Sequence, residues 1–299
     1  MVRVQVDFTA YFRYSCMASR EYNGFLNYFL EMKYMGENTT GMRFMTRDAI
    51  KYLAIVAMTL DHIAYIFLEP HTLLYRLFLC IGTFTGPVML YFLIEGYFYT
   101  HDIRGYAKRL LLFALLSQLP FSLASGGFFG NMLFTLLICL GVLYVHDHVT
   151  DGGLRKILYV LLFFTSLFTD WNFLSVPLVL FLRPAFHPAV PIVERSADQY
   201  QNEENILMKS QAKAQHFYID PTEQRRGMLK CVAYFIVVSC LTKGMFDGMT
   251  EVLGMVLGFV CIACFYNGQQ AKTHRKFHKY FFYIYYPVHL LVLWTLHAM

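Results

Sequence analysis

The sequence predicts an all-α, polytopic transmembrane helix bundle of about nine spans with a cytoplasmic amino terminus. Three observations carry that expectation. The chain is 57% hydrophobic and only 15% charged, where a soluble domain carries about a quarter charged residues. Its apolar residues fall in runs of about twenty, enough to cross a hydrocarbon core roughly 30 Å thick. Lys and Arg gather in alternate loops, as they do on the cytoplasmic side of membrane proteins. One such run fits a buried soluble core; a series filling most of 299 residues does not.

The expected spans are Asp48–Leu68, Leu73–Tyr99, Tyr106–Leu123, Met132–Val149, Leu154–Thr169, Trp171–Leu182, Met228–Met245, Met249–Tyr266 and Tyr280–His297. The fifth and sixth are short, which suits tilted, broken or re-entrant segments. Turn formers such as Glu69-Pro70, Gly126-Gly127 and Asp151-Gly152-Gly153 separate them. Arg43, Arg47 and Lys51 precede or open the first span, and Arg104, Lys108 and Arg109 lie between the second and third. Arg155 and Lys156 follow the fourth, and Lys272, Arg275, Lys276 and Lys279 lie between the eighth and ninth. The other loops hold mainly Arg76 and Lys243, so nine crossings alternate without an exception and leave the carboxyl terminus outside.

Four regions follow. Residues 1–47 form a cytoplasmic or surface-lying leader, and Met42 and Met45 are alternative starts, so whether residues 1–44 are native stays open. No cleavable signal peptide is evident there. The Asn38-Thr39-Thr40 sequon falls on the cytoplasmic side, which argues against its use. Residues 48–183 hold spans one to six and residues 228–299 hold spans seven to nine. Between them, residues 184–227 read as a polar, proline-punctuated cytoplasmic insertion. The seven cysteines read as small buried hydrophobes rather than a disulfide framework.

Ionisable groups inside spans cost at least a few kcal/mol, so each is a functional candidate. The run from Lys51 to Leu60 carries no charge until Asp61-His62, which stand about 20 Å up the first helix, toward the outer half. A histidine near neutrality takes a proton from an attacking amine or hydroxyl, and a carboxylate orients the imidazole and stabilises its charged form. A structural polar knot between helices accounts for the same residues. Other polar groups share that outer depth: Ser117, Gln118, Asn131, Thr135, Asp170, Lys243, Asp247 and His289. The inner half carries Glu95, followed by Arg104, Lys108 and Arg109, a cluster suited to the phosphates of an anionic donor, with Arg109 expected to pair with Glu95. Positive-inside topology alone explains Arg104 and Lys108 equally well. There is no Walker loop, no GxGxxG, no GxSxG elbow and no metal-spaced His/Cys set, so neither a metal nor a nucleic-acid partner is expected.

Several stretches resemble the TraX family, membrane proteins associated with amino-terminal acetylation of F pilin. They are Lys51-Tyr52-Leu53-Ala54-Ile55 through Asp61-His62-Ile63, Ile94-Glu95-Gly96-Tyr97, Tyr106-Ala107-Lys108-Arg109-Leu110, Ser117-Gln118-Leu119-Pro120-Phe121, Asn131-Met132-Leu133-Phe134-Thr135-Leu136 and Tyr285-Tyr286-Pro287-Val288-His289-Leu290. The likeness runs in order from about residue 48 to the end, skipping 184–227. It implies a multi-pass acyltransferase of the bacterial inner membrane that uses acetyl-CoA or another acyl-CoA. Asp61, His62, Glu95, Arg109, Asn131 and His289 match the family's polar positions. The chain departs from the pattern at Thr83, where the family usually has Arg, and at Gln118, where it often has Glu.

The leading expectation is therefore transfer of an acetyl group to an amino or hydroxyl acceptor on an extracytoplasmic peptide or glycan, within membrane lipid. His62, Asp61 and His289 are the candidate catalytic residues; Glu95, Arg109, Asn131, Lys243 and Asp170 would bind donor or acceptor. In that scheme Glu95 and Arg109 organise the donor end, while His289, Asn131 and Lys243 polarise the acyl carbonyl or position the acceptor. A proton-coupled secondary transporter using Asp61, Glu95 and His289, or a non-catalytic scaffold, are the competing classes.

Overall fold

The computed structural model describes residues 43–188, 217–271 and 273–299. The leader as far as Met42, the Asn38 sequon, most of the expected insertion and Lys272 lie outside the described residues. Met45–Met299 form one compact unit.

Among the described residues the fold is all-α apart from one small hairpin, and short polar caps set its helix boundaries. Helix α1 (Arg47–Phe67) starts where the Thr46 hydroxyl accepts from the Ala49 N–H. Helices α2 (Leu73–Thr83) and α3 (Thr85–Tyr99) run almost end to end, broken only at Phe84. Pro87 causes the break, because it has no N–H for the carbonyl one turn earlier. Asp102 caps α4 (Ile103–Ser125), which runs through Pro120 and stops at Gly126, whose φ of 65° is left-handed. Asn131 caps α5 (Met132–His148), and Asp151 caps α6 (Gly152–Ser166). At Asp151 the N–H groups of Gly153 and Leu154 hold the carboxyl below its usual range.

Helix α7 (Asn172–Leu182) has 11 residues, a length of about 17 Å that is well short of a hydrocarbon core. After a 3-10 turn, strands β1 (Phe186–Pro188) and β2 (Phe217–Ile219) pair antiparallel. Helix α8 (Pro221–Lys243) follows, then α9 (Met245–Val260), which ends in a π-helical turn over Cys261–Phe265, and finally α10 (Arg275–Ala298). The expected insertion is therefore built at both ends. Phe186 and Phe217 close on Phe98, and α8 begins at Pro221 rather than at Met228. Asp220 at the cap and Pro221 in the first turn are helix-starting chemistry, although the prolines of this stretch read as loop in the sequence.

Among the described residues five segments are long and apolar enough to cross a membrane: Arg47–Phe67, Leu73–Tyr99, Ile103–Ser125, Gly248–Phe265 and Tyr280–Ala298. Helices α5, α6 and α7 are shorter, and α8 opens on the polar stretch Pro221-Thr222-Glu223-Gln224-Arg225-Arg226. Apolar side chains on the outer faces of α4 and α6, including Leu112, Leu115, Leu119, Ile157 and Phe164, stand exposed. Such faces suit hydrocarbon rather than water. Inside, α9 nests on α2 because Gly254 lies against the Cys80 carbonyl, where any Cβ would collide.

Candidate active site

Two polar clusters interrupt the apolar core, one toward each end of α1. The first contains Asp61 and His62, near the carboxyl end of that helix. They line a water-sized cavity of about 40 Å³ with Met58, Gly82, Thr85, Met132, Asp170, Trp171 and Tyr286. Two glycines make the site by letting neighbours in. A Cβ at Gly82 would run into the Asp61 carboxylate, and one at Gly86 would run into the Trp171 ring. The Thr85 hydroxyl donates 2.9 Å to the Ala54 carbonyl and fixes α3 against α1.

Across the cavity edge His289 meets His62, Nε2 to Nδ1, at 3.2 Å. His289 is buried, and its Nδ1 lies 2.9 Å from the Tyr285 carbonyl one turn earlier on α10. The Tyr285 ring stacks on it with centroids 5.0 Å apart, and the Tyr285 hydroxyl bonds Thr59 Oγ1 of α1 at 2.8 Å. The histidine pair is thus held by two hydrogen bonds linking α1 and α10 and by the Tyr285 carbonyl and ring within α10.

Asp170 reaches the cavity because its loop is pinned. Gly130 N–H donates 2.8 Å to the Phe168 carbonyl, and Asp170 N–H donates 2.8 Å to the Gly130 carbonyl. Lys243 binds Glu251 through both carboxylate oxygens, at 2.7 and 2.9 Å. Asp61, Asp170 and Glu251 share one electrostatic neighbourhood, with Lys243 as the cation among them. Asn131 stands apart in its bonding. Its amide donates to the Ala114 carbonyl and to Gln118 Oε1, while its Oδ1 accepts from Leu133 N–H. Every donor it has is occupied, so it braces α4 against α5 rather than offering a hydrogen bond to a ligand. Gln118 completes that brace by donating 2.7 Å to the Phe129 carbonyl, which a glutamate could not do.

The second cluster lies about 15 Å away, by helix rise from Asp61 back to Lys51. Glu95 is buried and accepts from the Tyr266 hydroxyl, and Arg47 Nη1 lies 3.9 Å from its other oxygen. The expected partner differs: Arg47, at the amino end of α1, faces Glu95, while Arg109 lies 5.8 Å over the Tyr106 ring and hydrogen-bonds Tyr283. Arg47 has the advantage of position, because the Met45–Tyr266 bridge brings the start of α1 beside Tyr266, which itself bonds Glu95. Lys51 lies between the Phe92 and Phe282 rings, at 5.8 and 5.4 Å. The Nε atoms of Arg47 and Arg109 and one Glu95 oxygen are buried without a hydrogen-bond partner.

The structure thus brings Asp61, His62 and Asp170 to one cavity, sets His289 against His62 at its edge and Lys243 nearby on Glu251, and leaves Asn131 as a brace. Glu95 and Arg109 belong to the other end. Arg47, Lys51, Tyr266, Trp171, Tyr286 and Glu251 join these clusters without having been singled out as site residues. Glu251 carried the same signal as Asp61, an acid inside an apolar run. Among the described residues no His, Cys, Asp and Glu group is arranged to hold a metal ion.

The family model described as TraX protein matches residues 46–195 and 204–297. The "Probable fimbrial assembly protein FimC, serogroup H1" of Dichelobacter nodosus is 26% identical over 260 residues, covering 82% of this chain and 92% of that protein. No solved structure matches the chain significantly.

Proposed function

Since the chain belongs to the TraX family, we propose that it is a membrane-bound acyltransferase acting in the assembly of a pilus or fimbria. The name of the Dichelobacter nodosus relative supports the assembly role. The observation that carries the chemistry is the His62–His289 pair at a water-sized cavity beside Asp61. The donor in this reading is acetyl-CoA, its phosphates met by Arg47, Lys51 and Arg109 and its pantetheine arm reaching toward His62. Guanidinium groups with unused donors suit phosphate oxygens. The acceptor is a pilin-like amino terminus or an envelope glycan.

In the transfer step the acceptor nitrogen or oxygen bonds to the thioester carbonyl carbon while His62 takes its proton. The carbon–sulfur bond then breaks, and the thiolate recovers that proton from His62. Asp61, one residue away and on the same cavity, favours the cationic imidazole between those events.

The same reading places the protein in the bacterial inner membrane with nine crossings and its amino terminus in the cytoplasm. Support comes from charge. Arg47, Arg109, Arg155 and Arg183 lie at the Glu95 end, tied by Arg47–Glu95, Arg183–Asp147 and the Asp147–Tyr97 hydrogen bond.

Incubating the purified protein with radiolabelled acetyl-CoA and cell-envelope acceptors tests the proposal. The wild type should move label to an acceptor, and His62→Gln should lower the rate by roughly 10²–10⁴. Undiminished transfer by His62→Gln overturns the role of His62. A proton-coupled transporter is the second reading, favoured by the acids gathered around the cavity. It predicts proton flux in liposomes and no labelled product.

A further inference from the structure

The hydrogen bonds of the histidine pair specify which nitrogen carries each proton. A carbonyl oxygen only accepts, so His289 Nδ1, 2.9 Å from the Tyr285 carbonyl, carries a hydrogen. In a neutral ring the other nitrogen is then a bare acceptor, and it is Nε2 that faces His62 at 3.2 Å. His62 Nδ1 must therefore be the donor. The Met58 carbonyl, one turn earlier on α1, also bonds this ring; on Nδ1 it competes with His289 Nε2 for the same hydrogen. Neutral His62 is left with its lone pair on Nε2.

We propose that His289 is a positioning residue that locks His62 in the Nδ1–H tautomer and so makes Nε2 the basic atom of the site. This rests on the acyl-transfer reading and gives His289 a task other than polarising the acyl carbonyl, for which it has no N–H left. When His62 Nε2 takes the acceptor's proton, the imidazolium keeps its Nδ1–H on His289, and that bond strengthens as charge develops. The proton returns to the thiolate from the same Nε2. It does not pass through His289, whose own hydrogen is held by a carbonyl that cannot take it. Tyr285 serves the lock twice, with its carbonyl on Nδ1 and its ring stacked on the imidazole.

The test is ¹⁵N NMR of the full-length protein in nanodiscs, labelled at histidine, with His62 resonances assigned by comparison with His62→Gln. His62 should be protonated at Nδ1 and bare at Nε2. His289→Gln, whose amide can donate to the carbonyl and accept from His62, should preserve that state. His289→Phe should give a mixture of tautomers and lower acetyl transfer on the order of a hundredfold. His62 protonated at Nε2 in the wild type overturns the proposal, and that measurement needs no variant to fold. An unchanged tautomer in His289→Phe also overturns it. If the tautomers are as stated but His62→Gln still transfers acetyl, the acyltransferase reading fails while the lock stands. If His62→Gln is inactive and wild-type His62 carries its proton on Nε2, the reading stands and the lock fails.

Discussion

At one end of the bundle Glu95 has Arg47 and Tyr266 against it, and Lys51 lies between two aromatic rings. At the other end Asp61, Asp170 and Glu251 share a neighbourhood with Lys243, beside two histidines and a cavity that holds about one water. The same costly ingredients are handled in opposite ways. Where a buried carboxylate has a single cation facing it, removing one member strands the other. Where charges surround a space, removal changes what the space can do more than whether the helices hold together.

That contrast can be broken most directly at Glu95. Glu95→Ala leaves Arg47 without its carboxylate and should destabilise the protein by about 3–5 kcal/mol, read as a lower thermal midpoint in detergent. Gly82→Val should come next. Its side chain meets Asp61, and overpacking of this kind costs roughly 1–3 kcal/mol, with acyl transfer lost as the cavity closes. Gly152→Ala, where a Cβ meets nothing within 4 Å, is the silent control. Asn131→Ala removes a helix cap and should cost about 0.5–2 kcal/mol, sharpening its assignment as a brace if transfer survives in the folded fraction.

The smallest effect lies outside both clusters, at Asp151. Its carboxyl sits below the ordinary 3.8, so its contribution is full above that value and is lost as pH falls through the lowered one. The difference in thermal midpoint between wild type and Asp151→Ala should close only in acid.

The helices were legible because apolar runs and their caps are local. Asp61 and His62 were legible because a charge inside such a run has few structural excuses. Arg47 was not, since at the mouth of a span positive-inside topology accounts for it completely, and only the fold puts it against Glu95. Tyr286 was hidden by abundance: in a chain that is 18% aromatic, one more ring carries little information. The short helices α6 and α7 were visible as short apolar runs, but the start of α8 was masked by prolines that read equally as loop. The histidine pair needed both chain ends at once, and no spacing rule links residues so far apart.

That separation bears on how the protein is made. Glu95 and Tyr266 are 171 residues apart, and His62 and His289 are 227 apart. At ordinary rates of synthesis the first interval lasts roughly 10–30 s, long enough for the early helices to leave the ribosome before their later partners exist. Arg47, made earlier, can shield Glu95 from lipid during that wait. His62 meets His289 only once α10 has been made, so the histidine pair cannot form before that helix exists.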